Sequence, residues 1–263
     1  MSDRSAVLDG LVIIDTKAAQ LAIVNVEVTG LWTSPDSPRP IDAAILADRP
    51  DHARWLADMD AQPTLEEGRL GLYGRFDSEL LAGEPVLIVD SDREGWSKVT
   101  SPWQAYDDTA TGYPGYARTA HLRPVDDAPL DTLPHTGVAP TVDNFLAEAR
   151  RHIGLAYLWG GISPAGLDCS GLVHHALRRL GVIFARDGND QYHACEDVPL
   201  RAARPGDLYF FAHPGKTIHH VGIVTGPGRI LHSPSTGEVV VEEEMPVHRQ
   251  ETLTVIGRIR QLQ

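Results

Sequence analysis

The chain has 263 residues, and its 42% hydrophobic content is sufficient for two domains with separate buried cores. Its 36 acidic and 23 basic residues give a formal charge of -13, which argues against nucleic acid or an anionic membrane as a partner. Two cysteines, Cys169 and Cys195, provide no disulfide framework and fit a reducing compartment. Residues 1–10 lack a basic segment followed by a long apolar run, so we expect a cytoplasmic protein unless a leader has been removed. We expect no cofactor and no metal.

The N-terminal half changes from strand to helix patterns and back. Residues 21–28 alternate as a strand does, and three prolines within residues 31–40 then end the pattern. Apolar residues three to four apart predict a helical insertion at about 41–72, with helices over 41–46, 50–59 and 63–72. Short strands over 84–90, 96–100 and 112–118, separated by tight turns, are typical of a small barrel. Whether residues 1–72 form a second barrel stays open.

A segment rich in proline and aspartate divides the chain. We interpret residues 126–140 as a linker, which leaves an N-terminal region of residues 1–125 and a C-terminal domain of residues 141–263. That domain begins with a predicted helix over 142–153. Its predicted apolar face consists of Phe145, Leu146, Ala149 and Ile153.

The stretch 157–173 is the most informative part of the sequence. Its glycines and its proline predict a loop, and apolar residues then recur at helical spacing until Gly181 can end the helix. Cys169 therefore opens a helix, with Asp168 as its N-cap. Unpaired backbone N–H groups and the helix dipole favour thiolate over thiol at such a position, so we predict a nucleophile near neutral pH.

Two later predicted strands carry histidines, with His219 and His220 in residues 218–224 and His232 in residues 229–233. A single free cysteine is more often a small buried hydrophobe than a catalyst. A cysteine followed by two strand histidines, however, supplies a nucleophile, a base and an orienting group. Neighbouring strand residues point to opposite faces, so only one of His219 and His220 can reach the sulfur. The same side chains could bind zinc, but adjacent strand histidines do not readily converge on one ion.

Three motifs in combination resemble the NlpC-type cell-wall cysteine peptidases: Leu167-Asp-Cys-Ser-Gly-Leu-Val, His220-Val-Gly-Ile and Leu231-His. The resemblance covers roughly residues 140–263. It implies an α+β fold in which a papain-like domain packs helices on an antiparallel sheet. It also implies a catalytic triad of Cys169 as nucleophile, His220 as general base and His232 as the orienting member. The backbone N–H of Cys169 and the hydroxyl of Tyr157 are candidate donors to the developing oxyanion.

A second resemblance covers most of the N-terminal half and points to the gamma-D-glutamyl-L-diamino acid endopeptidases that recycle murein stem peptides. It rests on Leu31-Trp-Thr-Ser-Pro, Leu72-Tyr-Gly and Gly112-Tyr-Pro-Gly-Tyr, together with the helical insertion. It implies an SH3-like β-barrel region that closes one end of the cleft. The implied substrate is a short murein peptide with a free N-terminal L-Ala, cleaved between gamma-linked D-Glu and a diamino acid.

This resemblance also places residues around the ammonium group and the D-Glu carboxylate of that substrate. The implied binding residues of the catalytic domain are Tyr157, Asp168, Ser170, Arg186 and Asp187. Tyr73 and Asp36 are candidates for a wall that selects an unblocked amine, although Tyr73 could be barrel core and Asp36 could shape a Ser-Pro turn. Gly188 replaces a hydroxyl residue common in the subgroup, so one contact is either lost or supplied by Asn189.

Two other functions stay open at this point. A noncatalytic wall-binding protein would use only the SH3-like region, but retention of all three triad residues argues against it. A broader peptidoglycan hydrolase acting on intact murein would not require the free amine. We interpret His174 and His175 as surface or packing residues, and residues 184–192 as a surface loop followed by a short helix. The pattern makes no prediction about oligomeric state.

Overall fold

The structure is a computed structural model that describes residues 19–91, 94–107 and 109–262. Its N-terminal region contains the strands β1 (Gln20–Val24), β2 (Val28–Trp32), β3 (Phe76–Leu81), β4 (Pro85–Asp90), β5 (Trp96–Ser101), β6 (Gln104–Ala105), β7 (Tyr113–Arg118) and β8 (Leu122–Pro124). All of them except β6 form one sheet in the order β3-β2-β7-β5-β4-β1-β8. Every neighbouring pair in this sheet is antiparallel.

The single strand predicted over residues 21–28 is wrong, because this stretch forms two strands. β1 pairs with β4 and β8, whereas β2 pairs with β3 and β7. The chain turns at residues 25–27, where the N–H of Asn25 donates to the carbonyl oxygen of His121 at 3.0 Å. Val26 still packs against the sheet core from within this turn, so the apolar alternation continues across the break.

Two of the three helices predicted for the insertion are present between β2 and β3. They are α1 (Ala43–Leu46) and α2 (His52–Asp60). The third prediction, over 63–72, is wrong: the chain forms turns and bends up to Gly68, and only Arg69–Leu72 is a 3-10 turn. A Cβ on Gly68 would lie 2.4 Å from the carbonyl oxygen of Met59. Close contact with α2 therefore sets the path of this segment, which helical periodicity alone does not reveal.

The C-terminal region places two longer helices against a six-stranded sheet. Its elements are α3 (Val142–Arg150), β9 (Ile162–Ser163), β10 (Gly166–Leu167), α4 (Cys169–Arg179), β11 (Phe184–Ala185), α5 (Gly188–His193), β12 (Cys195–Val198), β13 (Leu208–Phe211), β14 (His220–Gly226), β15 (Arg229–His232), β16 (Val241–Glu244), α6 (Val247–Gln250) and β17 (Leu253–Ile259). The sheet order is β12-β17-β13-β14-β15-β16, and all of its pairs are antiparallel. α3 and α4 share a buried core with this sheet that includes Phe145, Leu177 and Phe210.

Two predictions for this region need correction. α3 ends three residues earlier than predicted, at Arg150, and Ile153 is 50% exposed instead of lying on an apolar face. Residues 184–192 are not a surface loop, because Arg186 and Gln191 are buried. The amide nitrogen of Gln191 donates to two backbone carbonyl oxygens within 3.0 Å, which satisfies the donor side of this buried amide.

Contacts between the two regions are extensive and include an apolar cluster, in which Phe76 packs with Leu158, as well as polar contacts. β6 and β11 pair in parallel across the boundary, and Arg178 on α4 forms a 2.8 Å ion pair with the buried Glu84. Residues 126–140 contain no helix or strand, yet Leu133 is buried and the indole N–H of Trp103 donates to the carbonyl oxygen of Pro129. Within the described residues, none of the helices has the length and apolar character needed to cross a bilayer.

Candidate active site

Cys169 is the first residue of α4, as the sequence predicts, and it lines a cavity of about 350 Å³. Asp168 is the N-cap, because its Oδ1 accepts the N–H of Gly171 at 2.6 Å. A Cβ on Gly171 would lie 2.0 Å from the carbonyl oxygen of Gly161. The glycine-rich loop can therefore pack directly on the first turn of α4, which fixes the position of the sulfur.

The buried guanidinium of Arg186 hydrogen-bonds to both carboxylate oxygens of Asp168. Its Nη2 donates to Oδ2 of Asp168 at 2.6 Å, and its Nη1 donates to Oδ1 at 3.1 Å. Nη1 also donates to the hydroxyl of Ser170 at 2.9 Å, and Nε donates to Ser78 at 2.9 Å. Asp168 and Ser170 line the cavity, whereas Arg186 is 1% exposed and lies behind the cavity wall. Sequence analysis placed Arg186 at the substrate; the structure assigns it to the support of the nucleophile helix.

His220 begins β14 and His232 ends β15, so antiparallel pairing brings the two rings together. Nε2 of His220 lies 2.9 Å from Nδ1 of His232, and both residues are buried. Gly222 explains part of the His-Val-Gly-Ile motif, because a Cβ there would lie 3.1 Å from the Cβ of His232. The side chain of Ile230 lies nearer still, at 2.4 Å, so the absence of a side chain at Gly222 makes room mainly for Ile230 and also for the second histidine.

The charge state of the site differs from the sequence prediction of a thiolate. Burial, followed by the nearby Asp168 carboxylate, raises the pKa of Cys169 to about 11, although backbone N–H groups of Val221 and Ser170 oppose this shift. Burial, assisted by the positive charge of Arg249, lowers the pKa of His220 well below its usual range. The resting pair is thus a neutral thiol and a neutral imidazole. A neutral thiol at this position can act as a nucleophile only if a neighbouring base takes its proton, and a neutral imidazole is chemically able to do so.

One end of the cavity is acidic. We use the term acidic end for Asp77 on β3, Asp187 immediately before α5, and Tyr113 on β7, whose hydroxyl donates to Oδ2 of Asp187 at 2.6 Å. Burial and then the charge of Asp187 raise the pKa of Asp77 to about 6. Burial also raises the pKa of Asp187, against the opposing effect of Arg186. The guanidinium of Arg186 lies behind the cavity wall, 4.0 Å from Oδ1 of Asp187, but no lysine or arginine is among the described residues that line the cavity itself, so its surface at this end favours a cationic group.

Sequence analysis missed Asp77, Tyr113 and Trp159 as residues of this cavity. Tyr113 lies within a motif that suggested a strand, and nothing in that motif indicates a contact with Asp187. Asp77 follows Tyr73 by four residues, which was the one available signal. Both N-terminal residues reach the cavity only through the packing of the two sheets, and a linear pattern does not encode that packing.

The predicted binding residues are placed as follows. Tyr157 lines the cavity beside Cys169, and burial, followed by the electrostatic interaction with Cys169, raises its pKa well above the usual range, so it stays a phenol and can donate. Tyr73 is 67% exposed at the cavity rim, with its ring 4.5 Å from that of Trp159, and is therefore not barrel core. Asp36 does not line the cavity. It lies in an exposed turn where its N–H donates to the hydroxyl of Ser34 at 3.2 Å.

The other histidines considered in the sequence analysis lie in different surroundings. His219 also lines the cavity, and its ring stacks on that of His213 at 4.8 Å. His174 and His175 are buried, which identifies them as packing residues. Among the described residues, the one group of three potential metal ligands is Asp107, Asp190 and His193, and it does not include Cys169.

Comparisons with known proteins point to one family. The model of the NlpC/P60 family matches residues 154–258. The chain is 31% identical over 271 residues to the gamma-D-glutamyl-L-lysine dipeptidyl-peptidase of Bacillus subtilis strain 168, covering 81% of this chain and 90% of that protein. It is 26% identical over 288 residues to the Bacillus cereus protein of the same name, with 84% and 85% coverage. A crystal structure of an NlpC/P60 family protein from Bacillus cereus shares the fold, with a TM-score of 0.79 at 24% identity, covering 91% of this chain and 99% of that chain.

The fold and the site define a cysteine peptidase of mixed α and β structure, with papain-like packing of helices on an antiparallel sheet. The chain belongs to the NlpC/P60 family, which confirms the resemblance carried by its three motifs.

Proposed function

We propose that this cysteine endopeptidase hydrolyses the bond between gamma-linked D-Glu and a diamino acid in murein stem peptides that carry a free N-terminal L-Ala, as part of cell-wall peptide recycling. The observation that carries the proposal is the acidic end of the cavity, where Asp77 and Asp187 line the same cavity as Cys169 and the charge of Asp187 contributes to the raised pKa of Asp77. The names of the two Bacillus relatives, which state gamma-D-glutamyl-L-lysine dipeptidyl-peptidase activity, support the same substrate class.

In the proposed reaction, Cys169 attacks the gamma-carbonyl carbon of D-Glu while His220 accepts the thiol proton. A C–S bond forms, and the carbonyl oxygen becomes an oxyanion that accepts hydrogen bonds from the Cys169 N–H and the Tyr157 hydroxyl. His220 then protonates the amine of the diamino acid, and the C–N bond breaks to leave a thioester. Water, deprotonated by His220, hydrolyses the thioester and restores the thiol.

The free amine of L-Ala binds at the acidic end in this proposal. An ammonium between Asp77 and Asp187 would offset the two effects that raise the pKa of Asp77, which are burial and then the charge of Asp187. Acetylation of the amine would remove the charge and would add bulk against Tyr113 and Tyr73. In this proposal, Asp77 and Asp187, with no lysine or arginine among the described residues that line the cavity, select peptides that have a free N-terminal amine.

We also infer that the N-terminal sheet is an SH3-like module, with residues 1–125 forming this region, 126–140 the linker and 141–263 the peptidase domain. Short antiparallel strands joined by tight turns support this assignment. The module has a direct part in the site, since Tyr73, Asp77 and Tyr113 all come from it.

Two alternatives predict different substrates. A broader peptidoglycan hydrolase would act on intact murein, in which the L-Ala amine is blocked, so an acidic end would give it no benefit. A noncatalytic wall-binding protein would have no need for the buried 2.9 Å contact between His220 and His232. We favour the recycling peptidase because it uses both features.

Product analysis tests the proposal. We would incubate the protein and its Cys169→Ala variant with L-Ala-gamma-D-Glu-diaminopimelate, with the N-acetylated peptide and with intact murein, and follow released diamino acid by mass spectrometry. Cleavage of the free peptide alone, abolished by Cys169→Ala, is the expected result. Equal cleavage of the free and acetylated peptides would retain the peptidase and reject the recycling role, and no cleavage of any substrate would reject the proposed reaction.

A further inference from the structure

A fourth side chain continues the line of histidines in the candidate site. Nε2 of His232 lies 3.1 Å from Oε1 of Glu243 on β16. In the antiparallel pairing of β15 with β16, His232 stands opposite Val241, and Glu243 is two residues further along. Residues two apart on a strand point to the same face of the sheet. Glu243 therefore lies on the same face as Val241 and His232, where its carboxylate can reach the histidine.

Hydrogen-bond chemistry makes the contact directional. An ionised carboxylate can only accept, so the proton of neutral His232 must reside on Nε2. Nδ1 of His232 then carries a lone pair and accepts from Nε2–H of His220, 2.9 Å away. His220 is left with a lone pair on Nδ1, which is the form a base needs to take the proton of Cys169.

We propose that Glu243 is a positioning residue that fixes the tautomers of both histidines and thereby keeps His220 competent as a base. The proposal rests on the catalytic roles assigned above to Cys169, His220 and His232. Without Glu243, His232 could place its proton on Nδ1 and donate to His220. His220 would then carry its own proton on Nδ1 and could not accept one from the sulfur.

Other charged groups around His220 and His232 lower the pKa values of these histidines, whereas the hydrogen bond to Glu243 raises that of His232. Arg249 and His248, both on α6, lower the pKa of His220 and of His232, and His219 also lowers that of His220. The hydrogen bond to Glu243 raises the pKa of His232, against the larger lowering effect of burial. Removal of the carboxylate therefore moves the protonation of this pair to lower pH.

The chain offers a matched control. Glu244 is the next residue of β16 and is exposed, so Glu244→Gln removes the same charge from the same strand without touching His232. Glu243→Ala removes both the charge and the acceptor. Glu243→Gln removes the charge but retains an oxygen that can accept from Nε2–H.

The test does not depend on any peptide substrate. We would measure the rate of Cys169 alkylation by iodoacetamide against pH, quantifying the Cys169 and Cys195 peptides separately by mass spectrometry, and would assign the histidine tautomers by NMR with ¹⁵N-labelled histidine. We expect Glu243→Ala to slow alkylation at neutral pH by about tenfold, as loss of a carboxylate behind an oriented histidine does at metal sites. The acid limb of the profile should move to lower pH, and Nδ1–H should appear on His232. Glu243→Gln should lie between Glu243→Ala and the unmodified protein in rate.

An unchanged His232 tautomer in Glu243→Ala, with alkylation no slower than in Glu244→Gln, would overturn the proposal. Since alkylation reports on Cys169 and His220 alone, this outcome is distinct from failure to cleave murein peptides. Equal loss of rate in Glu243→Ala and Glu244→Gln would also overturn it, because the effect would then come from strand charge and not from the hydrogen bond.

Discussion

Asp168 and Asp77 both line the cavity beside Cys169, but their surroundings differ. Asp168 is matched by the guanidinium of Arg186, which contacts both of its oxygens. Asp77 has no such partner at hydrogen-bond distance among the described residues: burial, followed by the charge of Asp187, raises its pKa to about 6, and Arg186, whose Nη1 lies 4.0 Å from Oδ1 of Asp187, only partly opposes this rise. A buried carboxylate that is paired with a cation is held in one position. Two neighbouring carboxylates repel one another, and a bound cation relieves that repulsion. The first arrangement holds the nucleophile helix, and the second is suited to binding.

Arg186→Ala removes the cation that pairs with Asp168, and we expect this substitution to have the largest effect on stability. The variant leaves the carboxylate of Asp168 buried without its cation, so we predict a loss of about 3–5 kcal/mol in the free energy of unfolding, measured by urea denaturation. Arg54→Ala is the control, because Arg54 forms only an exposed ion pair with Asp58 on α2. We expect the control to change stability by less than about 0.5 kcal/mol. Similar losses in both variants would contradict a special role for the Arg186 pair.

Asp77→Asn tests the pair of neighbouring carboxylates, because its effect on the free energy of unfolding should depend on pH. The folded pKa of about 6 exceeds the ordinary value of 3.8, so the folded state binds the proton more tightly than the unfolded state. Asp77 therefore destabilises the protein fully above pH 6, and this penalty fades as the pH falls toward 4. We expect Asp77→Asn to raise the free energy of unfolding by roughly 1–2 kcal/mol at pH 7.5 and by much less at pH 4.5. An equal change at both pH values would indicate that Asp77 has no raised pKa.

The local geometry of the C-terminal half of the candidate site could be predicted from sequence because its residues lie in short contiguous motifs. The Asp168 N-cap and the start of α4 at Cys169 follow from local rules on helix ends. The contact between His220 and His232 follows from two neighbouring strands. The predicted thiolate was wrong because the local rule omits burial, which outweighs the helix-end contribution at Cys169.

The N-terminal contribution could not be predicted because it depends on long-range packing. Tyr113 and Asp187 are 74 residues apart in the chain, and no local pattern signals their hydrogen bond. The helix predicted over 63–72 failed for a related reason, since contact of Gly68 with α2 determines the path there. Asp36 was chosen by analogy within a motif, whereas the carboxylate of the described N-terminal region that reaches the cavity is Asp77.

The most direct test of the account is the ratio of kcat/KM for L-Ala-gamma-D-Glu-diaminopimelate to that for its N-acetylated form, measured for the unmodified protein and for Asp77→Asn. If an ammonium binds at the acidic end, Asp77→Asn should lower kcat/KM for the free peptide by about 10- to 100-fold, as expected for loss of a hydrogen bond between charged groups. The rate for the acetylated peptide should stay the same, so the ratio should fall toward one. An unchanged ratio in Asp77→Asn would contradict the claim that opposed carboxylates select the free amine.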